Sequence, residues 1–314
     1  MINRGIFFTF IFAMHELGNV VDSFLRYLQF ERRYSPKTIR SYQVDLTQFR
    51  NFLHTVYEST PDQATYAMVR AWLVELSQTE LNNTSINRKV ACLRSFFAFL
   101  MKEARISKNP MQKVRVLKTP KKLPQFVAQG EMNLLLDHHD FGNDFAGIRN
   151  QVVLELLYGT GMRLAELISL DDKRVNLREQ TIKVLGKRNK ERVIPIADSL
   201  TARVAAYQKI RNLEFPDHSG VLLVTDRGTP MYPMFVYRLV RHYLKPALSV
   251  DKKSPHVLRH TYATHLLDQG AEINAVKDLL GHTSLAATQV YTHNSIEKLK
   301  KVYQQAHPKA NSKR

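Results

Sequence analysis

The run Ser254-Pro255-His256-Val257-Leu258-Arg259 holds the first residues that could do chemistry. Ser254 can cap a helix and Pro255 can occupy its first turn, so His256 falls close to a helix N-terminus. His256 and Arg259 are three apart and share a face. An imidazole, a guanidinium and a helix N-terminus pointing one way form a site for phosphate. A core histidine beside a surface arginine would give the same pair. His256 and His260 stand at i and i+4, the spacing of a zinc pair. No Glu follows His256, however, and Arg259 on the same face would repel a metal. His260 is expected to be structural. Further on, Gly281 should cap a helix ending Asp278-Leu279-Leu280 and release His282 into a loop. Nine residues later Tyr291 falls near the end of a short helix that Thr283 or Ser284 can cap. With 12 His and 13 Tyr in the chain, neither residue type means anything alone. The run Tyr158-Gly159-Thr160-Gly161-Met162-Arg163 sets Arg163 just after a glycine turn, where it could simply pair with Glu166. It is not a nucleotide fingerprint, because no third glycine follows and no strand precedes it. No Walker-type phosphate loop occurs anywhere, which argues against an ATP-driven enzyme.

These residues need elements to position them. Residues 1–105 read as helices. Val20, Val21, Phe24, Leu25 and Leu28 recur at helical spacing. Ser35-Pro36 opens a second helix with Ile39, Leu46, Phe49 and Leu53 inward. Met68 to Leu76 is a third and Thr84 to Ala104 a fourth, with Val90, Leu93, Phe97 and Leu100 on one stripe. Lys37, Arg40, Arg88, Lys89 and Arg94 are expected to lie away from these stripes. Any one of them would suit a solvated face; as a set on a basic helical module they are candidate phosphate contacts. The second half is mixed. Helices are predicted near 130–137, 147–158, 163–169, 199–213, 233–244, 255–268, 272–280 and 285–292. Thr181 to Leu185 and Arg192 to Ile196 are β-branched runs around Gly186-Lys187-Arg188-Asn189-Lys190, which reads as a hairpin.

The 314 residues suffice for two domains with separate cores. Lys and Arg outnumber Asp and Glu by 46 to 28, a formal net charge of +18, and the excess runs through both halves. That is the footprint of a protein closing around a polyanion; a ribosome-associated or merely basic cytosolic protein would share it. The one cysteine, Cys92, excludes a disulfide framework and a Cys-based zinc site, and sits among apolar residues as a core side chain of a reducing compartment. The apolar run Ile6 to Met14 is too short to span a bilayer and lacks a small-residue cleavage site. Residues 1–13 are therefore expected to be a non-structural extension or a misassigned start. Nothing else is long and apolar enough to cross a membrane. Lys118-Thr-Pro-Lys-Lys-Leu-Pro124 cannot be helical and should form an extended basic strap beside DNA.

Read in chain order, these positions resemble the tyrosine recombinase family, the phage-integrase relatives, and in local wording its bacterial Xer branch. The resemblance rests on Arg163 in GTGMRLAEL, Lys187 in GKRNKERVIPI, His256 and Arg259 in HVLRHTYATHLL, His282 in LLGH and Tyr291 in TQVYTH. It extends over SPKTIRSYQVDLTQFRNFL, INRKVACLRSFFAFL and KTPKKLP, nearly the whole chain after residue 14. Lys277 and Ala287 depart from the usual polar residues, away from any catalytic position. The resemblance implies that Tyr291 attacks phosphorus to leave a 3′-phosphotyrosyl link and a free 5′-hydroxyl, as in topoisomerase IB chemistry. Arg163, Arg259 and His282 would hold the transition-state charge, Lys187 would protonate the leaving oxygen, and His256 would assist proton transfer at Tyr291. Neither ATP nor a metal would be needed, and no cofactor is expected.

The expected fold is mainly α with a small β-hairpin sheet, in two domains that form a C-shaped clamp on DNA. Residues 14–105 would be the helical, SAM-like core-binding domain, 106–125 a basic linker, 126–308 the catalytic domain and 309–314 a basic tail. The expected function is Xer-type resolution of chromosome dimers at cell division. An integrase or transposase of a mobile element would use the same chemistry, but the chain has no room for the arm-binding domain many integrases carry. A non-cleaving DNA-binding protein on the same fold is the remaining alternative. Expected partners are a double-stranded recombination site, a tetramer on synapsed DNA built with itself or a paralogue, and a cell-division DNA translocase. The expected location is the cytoplasm, at the nucleoid, away from membranes.

Overall fold

The computed structural model describes residues 20–120, 124–186, 191–247, 249–281 and 293–310. The chain divides into two compact units, 1–122 and 123–314.

The first unit is helical. Residues 20–26 form α1, which widens into a π turn over Tyr27–Glu31. Then come α2 (Pro36–Tyr57), α3 (Tyr66–Gln78) and α4 (Asn83–Lys102). Each of these three starts where a short polar side chain takes up an orphan amide. Ser35 Oγ accepts from Thr38 N at 3.3 Å, Thr65 Oγ1 from Met68 N at 3.4 Å and Asn82 Oδ1 from Ser85 N at 2.9 Å. The stripes meet in an aromatic core of Phe24, Phe49, Trp72, Phe96 and Phe97, all buried, with Phe49 and Trp72 centroids 4.9 Å apart. Cys92 is buried in the same core. Part of the expected linker packs here too. Met111 and Val114 are buried in this core, and Arg94 donates to the Val114 carbonyl at 2.6 Å. Beyond them the Asn87 side-chain amide pairs with both the N–H and the C=O of Leu117, at 2.8 and 2.9 Å, and Asn83 donates to Lys118 O at 2.8 Å.

In the second unit α6 (Phe145–Thr160) has no exposed residue on any side, as suits a helix at the centre of a core. Against it pack α8 (Asp198–Glu214), α9 (Pro233–Tyr243) and α10 (Pro255–Asp268), with the short α5 (Gln129–Asn133) and α7 (Leu164–Ile168) nearby. The antiparallel sheet runs β1 (Val175–Asn176), β2 (Thr181–Leu185), β3 (Glu191–Pro195). Ile182 pairs with Ile194 and Val184 with Arg192. The β2 strand falls where the sequence puts it, β3 begins and ends one residue earlier than expected, and β1 was not foreseen. Two helices complete the unit, α11 (Ile273–Leu280) and α12 (His293–Ala306). The latter, absent from the sequence reading, packs on β3, α10 and α11. Its sequence carries the signal in Ile296, Leu299, Tyr303 and Ala306, which recur at helical spacing, and the last three are buried. The helix expected at 285–292 lies outside the described residues. Among the described residues no helix is long and apolar enough to cross a membrane.

Candidate active site

Arg163, His256 and Arg259 come together in the second unit. Lys187, His282 and Tyr291 lie outside the described residues.

Arg163 is the N-cap of α7 and stands after the left-handed cap of α6 at Gly161, with φ of 59°. Only glycine fits that cap, because a Cβ there would stand 2.4 Å from Tyr262 Cδ1. Arg259 lies on α10 and is buried; its Nη1 donates to Gly161 O at 2.6 Å and its Nη2 to Leu280 O at 2.7 Å. His256 sits in the first turn of the same helix and is exposed. Ser254 is the N-cap position, but its side chain makes no capping bond; its carbonyl accepts from Val257 N at 2.9 Å. His260, expected to be structural, is exposed.

Three guanidinium groups converge on the end of α11. A helix leaves its last carbonyls without partners and concentrates negative charge there. Arg192 Nε binds Leu279 O at 2.8 Å, Arg259 binds Leu280 O, and Arg163 Nη2 makes a long bond of 3.4 Å to Gly281 O. Gly281 itself is left-handed, with φ of 64°, and ends the helix as the sequence requires. Arg192 comes from β3, Arg259 from α10 and Arg163 from the α6–α7 turn, so three separate elements are tied at one point.

Sequence reasoning did not give Arg192 or the full role of Glu166. Glu166 is buried on α7 and accepts four bonds. Oε1 takes Arg163 Nη1 and Arg192 Nη1, both at 2.9 Å; Oε2 takes Arg163 N at 2.7 Å and Arg192 Nη2 at 2.8 Å. Burial would raise its pKa, but the Arg192 and Arg163 bonds outweigh it and hold the carboxyl at about 2. One signal for Arg192 was available: it shares the inward face of β3 with buried Ile194, and a charge on that face needs a partner. The surplus of cations marks the site. Burial, then the Arg163 and Arg192 charges, lower Arg259 to about 10. Burial, followed by the charges of His260, Arg259 and Arg163, pushes His256 down from its ordinary 6.5. The shift favours the neutral imidazole, the form able to accept a proton.

The basic residues of the first unit separate. Lys37 and Arg40 are exposed at the start of α2. Arg88 is exposed but reaches Ser41 Oγ at 2.5 Å and pairs with Asp45. Lys89 does not lie on the outer face where the sequence placed it. It is buried, bound to Asp45 at 2.9 Å and to Gln48, with Nζ 5.9 Å from the Trp72 ring centre. A phosphate could reach it only by breaking that pair. Among the described residues no group of three His, Cys, Asp or Glu could hold a metal ion.

Fixed cations gathered beside an imidazole suit an enzyme that stabilises a phosphoryl group in transfer. The comparisons make the class specific. Residues 125–298 match the phage integrase family, and 21–104 match the phage integrase N-terminal SAM-like domain. Tyrosine recombinase XerC of Chlorobaculum parvum is 36% identical, over 94% of this chain and 97% of that protein. Tyrosine recombinase XerC of Bacillus subtilis is also 36% identical, over 95% of this chain and 99% of that protein. In fold the chain is similar to the XerH site-specific recombinase bound to palindromic difH substrate, with TM-score 0.69, 22% identity, 87% of this chain and 81% of that one. The chain belongs to the phage integrase family, the tyrosine recombinases, enzymes that cut and rejoin DNA.

Proposed function

We propose that Tyr291 is the nucleophile and that the protein carries out Xer-type site-specific recombination. The carrying observation is the delivery of Arg163 and Arg259, from two separate elements, to the successive carbonyls of Gly281 and Leu280. Each guanidinium has five donors, so both keep N–H groups for an anion. Tyr291 Oη attacks phosphorus, the 3′-phosphotyrosyl bond forms, and the bond to the 5′-oxygen breaks. The departing oxygen takes a proton from Lys187. The tyrosine proton passes toward His256, whose neutral form can take it; the unperturbed phenol, with a pKa of about 10, would otherwise keep it. Arg163, Arg259 and His282 hold the charge on the non-bridging oxygens. Attack by a 5′-hydroxyl, from the same or a partner strand, reverses the step, so bond energy is conserved and neither nucleotide nor metal enters the chemistry.

In this reading 14–105 is the core-binding domain, 106–125 the linker, whose first part through Lys118 packs on that domain, 126–308 the catalytic domain and 309–314 a basic tail. The substrate is a double-stranded recombination site. The working form is a tetramer on synapsed DNA, of this chain alone or with a paralogue, and a DNA translocase of the division machinery activates it. Its task is to resolve chromosome dimers at the nucleoid. Likeness over nearly the full length to XerC proteins supports this assignment over a mobile-element integrase.

A nicked suicide substrate tests the chemistry. The wild type should form an SDS-resistant adduct in EDTA without nucleotide, and Tyr291→Phe should bind the same DNA and form none. Adducts with Tyr291→Phe, or a metal requirement for cleavage, would overturn the reading.

A further inference from the structure

We infer that Arg192 is a positioning residue for strand cleavage. By sharing Glu166 with Arg163, it keeps the Arg163 guanidinium only half engaged and open to phosphate. The inference rests on the tyrosine recombinase reading of the site.

Glu166 offers four lone-pair positions, and each is filled, two by Arg163 and two by Arg192. Arg192 binds as a fork through both terminal nitrogens, whereas Arg163 spends one side-chain nitrogen and its own backbone N–H. The Arg163 side chain is 35% exposed, against 4% for Arg192, so of these two only Arg163 can meet DNA. Without Arg192, two positions on a buried carboxylate fall vacant, and the rest of the Arg163 guanidinium, already bound to the same carboxylate, is a donor that can fill them. Glu166 would then close on Arg163 as a bidentate pair, turning away the edge that faces the phosphate and cancelling its charge. Arg192 also holds Leu279 O, one residue from the carbonyl that Arg259 binds. Gly281 belongs to the same contact, because a Cβ there would approach Arg192 Cδ to 3.1 Å. A buried ion pair is a poor device for stability alone, since apolar residues of similar volume often serve as well. Here one arginine faces the substrate and the other is buried behind it, and the arrangement sets geometry and charge.

The test is single-turnover cleavage of a nicked suicide substrate at saturating protein, with affinity measured separately. Arg192→Met should lower the rate between about tenfold and a hundredfold, the range expected from misplacing a catalytic group. Its affinity should stay within about threefold, because phosphate contacts elsewhere dominate binding. The double variant Arg192→Met/Glu166→Gln should cleave faster than Arg192→Met, since the amide has no charge with which to capture Arg163. A purely structural role for Arg192 predicts no such recovery. A wild-type rate for Arg192→Met, or a double variant no faster than the single one, overturns the inference. Should Arg192→Met fail to fold, Arg192→Lys, which keeps the charge but loses the fork, must still show a slower rate at near-normal affinity, and an unchanged rate overturns the inference equally. If the wild type forms no Tyr291 adduct in the same assay, it is the recombinase reading that fails, a result separate from any Arg192 effect.

Discussion

Asp45 in the first unit and Glu166 in the second are both buried carboxylates held by two basic side chains, one buried and one partly exposed. Asp45 has buried Lys89 and exposed Arg88; Glu166 has buried Arg192 and half-exposed Arg163. Around Asp45 the network closes on neutral partners, Gln48, Ser41 and the face of Trp72. Around Glu166 it opens onto a third guanidinium, Arg259, which among the described residues pairs with no carboxylate and leans on backbone carbonyls. The same motif thus serves to pin two helices in one unit and to accumulate positive charge in the other. What separates them is the size of the cation surplus, two against one around Asp45 and three against one around Glu166, not whether charges are buried.

The comparison breaks first at Arg259. If its surplus charge acts on the transition state, Arg259→Ala should lower single-turnover cleavage about a hundredfold to a thousandfold, roughly 3–4 kcal/mol, with a much smaller change in DNA affinity. Equal losses in rate and affinity would make it an ordinary DNA contact. The counterpart, Lys89→Met, should leave cleavage by bound protein unchanged and destabilise the first unit by about 3 kcal/mol in denaturant unfolding, because Asp45 stays buried with one partner fewer. A cleavage defect without a stability loss would erase the contrast between the two networks.

Acid sharpens the comparison. His307 in the second unit stacks on Tyr303 with centroids 4.7 Å apart, and burial pushes its pKa down to about 3. A depressed folded pKa means that this residue's contribution to stability is whole above the ordinary 6.5 and is lost as pH falls toward 3. Stability should drop by roughly 1 kcal/mol at pH 5.5 on this account, and His307→Phe should flatten the slope in a pH series of thermal unfolding. Glu166 stays ionised until about 2, so its network of arginines is not the first to respond. The smallest effects belong to Lys37 and Arg40. Replacing either by Ala should weaken binding uniformly across sequences and reduce the salt slope by about 1, with cleavage at saturation intact. An unchanged salt slope would remove them from the DNA face.

Much of this was legible in the sequence because periodicity and capping are local. The start of α2 at Ser35-Pro36, the β2 strand and the Gly281 cap need only neighbouring residues to specify them. Glu166 was visible as a partner for Arg163 three residues away. Arg192 was not, since its partners Glu166 and Leu279 are distant in sequence and are brought to it only when β3 packs beside α7 and α11. Lys89 misled for a related reason: a lysine one step off an apolar stripe reads as solvated unless a buried aspartate on another helix is known to face it. The α12 helix was passed over because Lys298, Lys300 and Lys301 dilute its apolar spacing.

The pairing of Asn83 and Asn87 with the backbone of Leu117 and Lys118 bears on how the gene could be divided. Residues 106–118 look dispensable by composition, and a fragment ended at Arg105 would seem a natural way to isolate the helical half. Such a fragment would discard Met111 and Val114 from the core and leave Asn83 and Asn87 without the backbone they bind. The uncovered apolar surface would make it prone to self-association, whereas a cut after Lys118 preserves every one of those contacts.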